Sequence, residues 1–175
     1  MRHRPNPNRS PLAQAGFTLI EMMVVVAVLA IMTGIAIPNV LAWMPAVSLK
    51  NETNAMLGAM QRARSLAINN GLEHRVLFDY ANQTYQVDKG DLMSGSTNWT
   101  TAWGPEKVGD NYFYAPWWQM ENEGANRPFL RFTANGSAVA SIDQPYLITY
   151  NTHGLLYIAW IQRRTGHVTL EKRTY

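Results

Sequence analysis

One carboxylate inside a long apolar run is the feature that most constrains how this chain folds. From Phe17 to Ile37 the chain is apolar apart from Glu21 and a few small polar residues. As a helix this run is about 32 Å long, which matches the hydrocarbon core of a bilayer at about 30 Å. A charge near the centre of a membrane helix costs about 2.5–3.5 kcal/mol, and such residues are usually functional. The run therefore predicts a membrane-spanning helix whose carboxylate acquires a partner outside the lipid.

The segment before the run is basic and rich in proline. Residues 1–16 carry arginine and histidine but no acid, and their prolines exclude a helix. The segment looks like a secretory signal, but its small-residue site, Ala13-Gln14-Ala15, precedes the apolar run instead of following it. This order predicts cleavage that leaves the apolar run on the mature protein. The alternative is an uncleaved signal anchor, in which Glu21 has no role.

A basic leader ending in glycine, followed by the residues FTLIE and an apolar helix, resembles a type IV prepilin or a type II secretion pseudopilin. The resemblance implies that prepilin peptidase cuts between Gly16 and Phe17, and that Phe17 is then N-methylated. It implies that Glu21 is the assembly carboxylate, which meets the N-terminal amine of a neighbouring subunit as the filament grows. Pro38 also lies where such helices often carry a proline.

The next part of the chain predicts a second, amphipathic half of the helix. Gly34, Pro38 and Pro45 predict a kink or an unwound stretch just past the membrane. Ser48 is a candidate N-cap, and Gly71 marks the end. Between them, apolar residues recur at helical spacing: Leu49, Met56, Leu57, Met60, Ala63 and Ala67.

From Leu72 the hydrophobic period changes to two, which predicts strands. We expect a hairpin of residues 75–80 and 84–88, a long aromatic loop over 90–126, and then four more strands, at 128–133, 146–150, 155–161 and 167–170. The predicted fold is α+β, with one long N-terminal helix packed on an antiparallel sheet. The predicted parts are a leader (1–16), a hydrophobic helix (17–44), an amphipathic helix (45–71) and a β domain (72–175).

Three short segments in the second half extend the resemblance. Residues 62–67 (RARSLA), 132–136 (FTANG) and 165–168 (TGHV) are similar to segments of GspH-type minor pseudopilins and FimT-like minor pilins. The chain departs from that pattern at His167, where many relatives have an arginine. The resemblance implies a minor subunit that initiates or caps a filament.

Aromatic residues are concentrated in the predicted loop, and they allow two interpretations. They could form an exposed recognition surface, since aromatic residues are enriched in interfaces. They could instead fold over the sheet as a small core of their own, which we favour because so long a loop must be held in place. The residues are Trp99, Trp103, Tyr112, Phe113, Tyr114, Trp117 and Trp118.

The charge distribution gives limited support to nucleic-acid binding. The chain has 15 Lys and Arg against 12 Asp and Glu, but the leader holds three of the arginines, so cleavage leaves the charges balanced. A candidate DNA site remains near the C-terminus, where FimT-like minor pilins of DNA-uptake systems have a basic region. Its residues are Arg163, Arg164, Lys172 and Arg173, with His167. Two arginines at a turn are more often simply solvated.

The sequence indicates neither an enzyme nor a cofactor. It contains no cysteine, which excludes disulfides, thiolate metal sites and cysteine nucleophiles. His74, His153 and His167 lie far apart, without a catalytic motif. Asp88 and Asp91 are close enough to share a cation, but further ligands are needed, and we favour a solvated hairpin end.

We therefore predict a minor pilin or pseudopilin, anchored once in the bacterial inner membrane with its C-terminal domain in the periplasm. Assembly would move it into a type IV pilus or a type II secretion pseudopilus. Its partners would be other pilin or pseudopilin subunits, prepilin peptidase and the inner-membrane assembly platform. The alternative is a DNA-binding minor pilin of a competence pilus.

Overall fold

The structure is a computed structural model that describes residues 16–116, 119–124 and 126–174. The chain divides into two compact units, the first ending at Ala42 and the second beginning at Trp43. One helix, α1 (Leu19–Asn70), contributes residues to both units. The predicted leader lies outside the described residues except for Gly16.

The first unit, as far as it is described, is dominated by the apolar part of α1. Its large side chains are exposed, among them Leu29 and Ile35. The prediction of an unwound stretch at Gly34, Pro38 and Pro45 is wrong, because α1 is helical through all three residues. A proline inside a helix removes one hydrogen bond, and its ring crowds the carbonyl group of residue i−4, which can bend a helix without ending it.

The second half of α1 is amphipathic, as the spacing of its apolar residues predicts. Its buried residues are Leu49, Thr53, Met56, Ala59, Met60, Ala63 and Ala67. The prediction of Ser48 as an N-cap is wrong, because this residue lies inside the helix. Its hydroxyl instead donates to the Glu52 carboxylate at 3.3 Å. The helix ends at Asn70, and Gly71 follows with a φ of 64°, a conformation that glycine adopts without strain.

In the part of the chain that the structure describes, ten antiparallel strands follow the helix and form two sheets. The strands are β1 (His74–Asp79), β2 (Thr84–Gly90), β3 (Trp99–Lys107), β4 (Tyr112–Tyr114), β5 (Glu121–Asn122), β6 (Pro128–Phe132), β7 (Ala138–Val139), β8 (Tyr146–Tyr150), β9 (Leu155–Ile161) and β10 (Val168–Thr174). The first sheet has the order β3-β2-β1-β6-β5, with β7 also paired to β6, and the second has the order β10-β9-β8-β4. This arrangement confirms the predicted α+β fold.

The prediction of one long loop over residues 90–126 is wrong, because this segment contains β3, β4 and β5. β3 is an edge strand whose pairing with β2 is irregular, and most of its side chains are exposed. An exposed edge strand lacks the alternation of buried and exposed residues that identifies a strand in a sequence. The Gly104-Pro105 pair within it also resembles a loop signal.

The described aromatic residues of this segment do not form a separate core. Phe113 is buried in the main core, where its ring centroid lies 5.7 Å from that of Phe78. Trp103 packs against the same core, whereas Tyr112 and Tyr114 are exposed. The interpretation of a small independent core is therefore wrong for Phe113. Trp117 and Trp118 lie outside the described residues.

The main core lies between the second half of α1 and the inner faces of both sheets. Its members from the first sheet include Val76, Phe78 and Leu130, and those from the second include Leu147 and Ile161. Burial of such side chains contributes about 1.5–3 kcal/mol each. The amphipathic half of α1 is thus held by the hydrophobic effect, while the apolar half has no comparable cover among the described residues.

The other face of the first sheet carries buried ion pairs. The Arg75 guanidinium contacts the Asp88 and Glu123 carboxylates at 3.0 Å each, and its side chain is only 4% exposed. It also lies 4.4 Å from the ring centroid of Trp99 and 4.8 Å from that of Phe129. Charges removed from water require such pairing. Polar residues in β1 and β2 are therefore part of a packed layer.

Candidate functional site

The start of α1 holds Glu21 by a reciprocal pair of hydrogen bonds with Thr18. The backbone N–H of Glu21 donates to Thr18 Oγ1 at 3.2 Å, and the backbone N–H of Thr18 donates to Glu21 Oε2 at 3.5 Å. This is a capping box, in which the N-cap and the third helical residue satisfy each other's free N–H groups. Thr18 therefore precedes the helix as its N-cap, and α1 begins at Leu19.

The capping box could have been predicted, because its signature of threonine followed three residues later by glutamate is visible at Thr18 and Glu21. It means that the Glu21 carboxylate already has a local role as a helix cap. Both residues are exposed and the bond to Oε2 is long, so a charged group from outside the chain could replace it. The predicted cleavage site immediately precedes this cap.

The helix around Glu21 presents an apolar surface on all sides. An 18-residue window of α1 reaches a mean hydropathy of 2.5, and none of that window is buried. This helix is long and apolar enough to cross a membrane. A helix that is hydrophobic all round requires lipid or other helices around it. Glu21 thus lies at the beginning of a surface that water does not solvate well.

The four basic residues of the candidate DNA site do not come together. Arg163 and Arg164 lie in the turn between β9 and β10, whereas Lys172 and Arg173 lie near the end of β10. The length of β10, at about 3.3 Å per residue, separates the two pairs by roughly 20 Å. Arg163 lies 3.8 Å from Asp143, and Arg173 lies 2.8 Å from Glu171. The fold divides the predicted patch between opposite ends of the second sheet.

The two aspartates considered for a cation have separate partners. Asp88 accepts hydrogen bonds from Arg75 and Gln86, and Asp91 accepts from the side-chain amide of Asn98 at 2.9 Å. Among the residues that the structure describes, no group of three or more His, Cys, Asp or Glu is arranged to hold a metal ion. The interpretation of Asp88 as part of a solvated hairpin end is also wrong, since its side chain is 3% exposed.

The histidines occupy three different environments. His74 is buried at the start of β1, where its Nδ1 lies 3.1 Å from the carbonyl oxygen of Leu72, and burial lowers its pKa. His153 and His167 are exposed in turns. The fold does not bring the three side chains into one site.

Residues 62–67, 132–136 and 165–168, which resemble segments of minor pilins and pseudopilins, meet where α1 contacts two turns. Arg64 Nε donates to the carbonyl oxygen of Gly136 at 3.1 Å. Gly166 has a φ of 64°, and a Cβ atom there would lie 2.6 Å from that carbonyl oxygen and 2.9 Å from Arg64 Cδ. The three segments are therefore close in space because they form one packed junction, which sequence reasoning did not identify.

Comparison with known proteins finds a sequence motif near the start of the chain and a structural similarity over most of its length. The prokaryotic N-terminal methylation motif matches residues 12–37, a range that includes the predicted cleavage site and Glu21. The structure is similar to that of the minor pseudopilin EpsH from the type 2 secretion system of Vibrio cholerae. The TM-score is 0.50 at 11% identity, over 73% of this chain and 97% of that chain.

The type IV minor pilin FimU of Pseudomonas aeruginosa also aligns, with a TM-score of 0.48 and 19% identity over 72% of this chain and 91% of that chain. A comparison with curated proteins finds no match. The likeness to EpsH concerns the fold, whereas the methylation motif concerns the start of the helix. The start of α1 thus carries the methylation motif, and the structure that follows has a fold similar to that of a minor pseudopilin.

Proposed function

We propose that the chain is a minor pilin or minor pseudopilin that initiates or caps a type IV pilus or a type II secretion pseudopilus. The observation that carries the proposal is Glu21, a carboxylate within a matched methylation motif and at the start of an exposed apolar helix. An apolar anchor alone does not need this charge. A subunit that leaves the lipid for a filament does need a group that recognises its neighbour.

The proposed processing begins in the bacterial inner membrane, with α1 as the single span and the β domain in the periplasm. Prepilin peptidase cuts between Gly16 and Phe17, and Phe17 is N-methylated. The new amine is positively charged near neutral pH, since α-amino groups have a pKa near 8. The assembly platform then transfers the subunit into the filament beside other pilin or pseudopilin subunits.

Pairing between subunits would use the Glu21 carboxylate that the capping box now holds. A neighbour's ammonium group adds the attraction between two opposite charges to the hydrogen bond, which the uncharged Thr18 N–H does not supply. Away from water the advantage increases, because the dielectric constant is low. We therefore infer that Glu21 exchanges its local bond for the neighbour's amine as the helices pack, and that this pair sets their stagger.

Two substitutions separate the charge from the helix cap. Glu21→Gln keeps an acceptor for the Thr18 N–H but removes the charge, whereas Glu21→Ala removes both. We expect both variants to be cleaved and both to be at least tenfold depleted from sheared filaments, measured by immunoblotting against the membrane pool. Normal incorporation of Glu21→Gln would refute the pairing. A mature N-terminus other than Phe17, read by mass spectrometry, would refute the processing step.

A further inference from the structure

The turn between β6 and β7 contains an asparagine followed by a glycine, Asn135-Gly136. Asn135 is exposed, and the proposed assembly does not use it. Glycine has no side chain to shield its backbone nitrogen, so this nitrogen can approach the preceding side-chain amide closely. The chain contains a second such pair, Asn70-Gly71, at the end of α1. The surroundings of the two asparagine side chains differ.

Three hydrogen-bond donors converge on the side-chain oxygen of Asn135. The Thr133 hydroxyl lies 2.5 Å from Asn135 Oδ1, the Ser137 hydroxyl lies 2.7 Å from it, and the Ser137 backbone N–H donates to it at 3.0 Å. The Thr133 hydroxyl is also 3.2 Å from the Ser137 carbonyl oxygen, but it has a single proton, which favours the shorter contact. A neutral amide oxygen has two lone pairs. Three donors therefore suit an oxygen that carries more negative charge than an amide does.

Asn70 lacks such an arrangement. Its side-chain nitrogen lies 3.4 Å from His74 Nε2, and within the described part of the chain no group donates to its side-chain oxygen. The two asparagine–glycine pairs therefore allow a comparison within one molecule, since they share a sequence but not an environment.

The donors around Asn135 Oδ1 have the geometry of an oxyanion hole. Negative charge develops on this oxygen when a nucleophile adds to Asn135 Cγ. Donors about 2.7–3.1 Å from an oxyanion stabilise the transition state, and removing one typically slows such a reaction about 10²–10³-fold. The nucleophile is already part of the chain, because the Gly136 backbone nitrogen closes a five-membered ring when it bonds to Cγ. The Gly136 N–H donates to the Thr133 carbonyl oxygen at 2.8 Å, which holds this residue in the turn.

We propose that Asn135 is a site of self-modification, at which its side-chain amide is converted to a carboxylate. Hydroxide from the solvent removes the Gly136 amide proton, the Gly136 nitrogen bonds to Asn135 Cγ, and the carbonyl electron pair moves to Oδ1. This pair returns as the bond from Cγ to Nδ2 breaks, and Nδ2 leaves as ammonia with a proton from water, which regenerates hydroxide. Water then opens the cyclic imide to aspartate or isoaspartate. The net reaction consumes one water and releases one ammonia.

The modification acts on the junction that joins α1 to two turns. The Gly136 carbonyl oxygen accepts a hydrogen bond from Arg64 Nε at 3.1 Å, and it lies close to Gly166. Isoaspartate places one additional carbon atom in the main chain directly before Gly136. This carbon displaces the carbonyl oxygen from Arg64, so that a modified molecule has a looser junction. The reaction depends on the fold of the second unit and on no step of processing or assembly.

The rate of modification in the folded protein tests the proposal. The full chain in phosphatidylcholine nanodiscs is incubated at neutral pH, and the products at positions 135 and 70 are measured by mass spectrometry of peptides. The same chain in guanidinium chloride gives the rate of each pair without the fold. We expect Asn135 to react at least about tenfold faster in the folded chain than in the unfolded chain, and Asn70 to react no faster.

Substitutions of the donors identify the cause. Thr133→Val and Ser137→Ala each remove one hydroxyl, and each should slow the reaction at Asn135 at least about tenfold. Thr133→Ser keeps the hydroxyl and should retain the rate, which separates hydrogen bonding from packing of the turn. The matched control, Thr165→Val, removes a threonine hydroxyl from the other turn of the junction and should have no effect.

Hydrogen exchange measures the effect on the junction. The Ala138 N–H donates to the Arg163 carbonyl oxygen at 2.8 Å and so links the two turns. Ion exchange separates the modified molecules by their added negative charge. In those that carry isoaspartate at position 135, exchange at Ala138 should be at least about tenfold faster than in unmodified molecules, because the local structure opens more easily.

Three results would overturn the proposal. A slower reaction at Asn135 in the folded chain than in guanidinium chloride would show that the hydrogen bonds protect the amide. An equal effect of Thr165→Val would show that the stability of the turns, and not the donors, sets the rate. Unchanged exchange at Ala138 would refute the effect on the junction. None of these results depends on cleavage or on filament assembly.

Discussion

Gly166→Ala tests the junction that joins α1 to both sheets. The residue has a φ of 64°, and an added Cβ would lie 2.6 Å from the Gly136 carbonyl oxygen and 2.9 Å from Arg64 Cδ. The left-handed conformation costs an alanine about 1–2 kcal/mol. Overpacking of a tight contact adds about 1–3 kcal/mol. We expect the free energy of unfolding to fall by about 2–5 kcal/mol, a large part of the 5–15 kcal/mol that is typical of folded domains.

Gly71→Ala is the matched control, because Gly71 has the same φ of 64° but no atom within 4 Å of an added Cβ. It should lose only the conformational cost of about 1–2 kcal/mol. Urea unfolding of a fragment that begins at Trp43, followed by circular dichroism, measures both variants. Equal losses for the two substitutions would show that the junction is not packed as described, and the reasoning from the Gly136 and Arg64 contacts would fail.

Two further predictions concern buried charge and pH. Asp88→Ala should lower the free energy of unfolding by about 3 kcal/mol, because it breaks a buried ion pair. This is the lower end of the usual range, since Glu123 still contacts Arg75. The control Arg173→Ala, which breaks an exposed ion pair, should leave urea unfolding nearly unchanged. Burial lowers the pKa of His74, so the unfolded chain binds a proton more readily, and stability should fall as the pH decreases from about 7.5 to about 5.5. His74→Gln should flatten that dependence in thermal unfolding at each pH, and an unchanged slope would contradict it.

The elements with strong local patterns were predictable from the sequence. The apolar stripe of α1 from Leu49 to Ala67 is buried as its spacing indicates, and the bounds of β8 and β9 match those expected from period-two alternation between turns. The apolar stripe of α1 and the alternation of β8 each mark one more buried face, so that their periodicity records their environment, whereas β9 is an apolar run between two turns. Elements of this kind are sufficient to define the α+β fold.

Other elements depend on contacts that a local pattern does not contain. The sequence does not predict β3, because an exposed edge strand has little alternation of buried and exposed residues. It wrongly predicts Ser48 as an N-cap, because this residue lies inside a continuous helix and forms hydrogen bonds with Glu52 and Asn111. The polar residues around Arg75 look solvent-exposed in the sequence, whereas in the structure the rings of Trp99 and Phe129 cover the Arg75 guanidinium. In each case tertiary packing determines the result.

The candidate sites differ in the same way. Glu21 was identifiable because its anomaly lies in the sequence itself, as a charge in an apolar run, and the capping partner Thr18 is only three residues away. The basic residues near the C-terminus are close in sequence, but β10 is extended and separates Arg164 from Lys172. Residues that are close in sequence stay close in space in a helix, which rises about 1.5 Å per residue, but they are farther apart in a strand, which rises about 3.3 Å per residue.

The proposed pairing also explains how assembly could depend on cleavage. An apolar helix that moves from lipid to a bundle of similar helices gains little from the hydrophobic effect, since lipid tails are as apolar as its side chains. The cost of a carboxylate in lipid, about 2.5–3.5 kcal/mol, is then a substantial part of the free energy of transferring the helix from lipid to the filament. A cleaved neighbour presents a charged amine at Phe17, whereas an uncleaved one presents an uncharged amide N–H at the same position. Glu21 would therefore favour processed subunits over unprocessed ones, with the capping bond to Thr18 holding the carboxylate at the helix start until such a neighbour arrives.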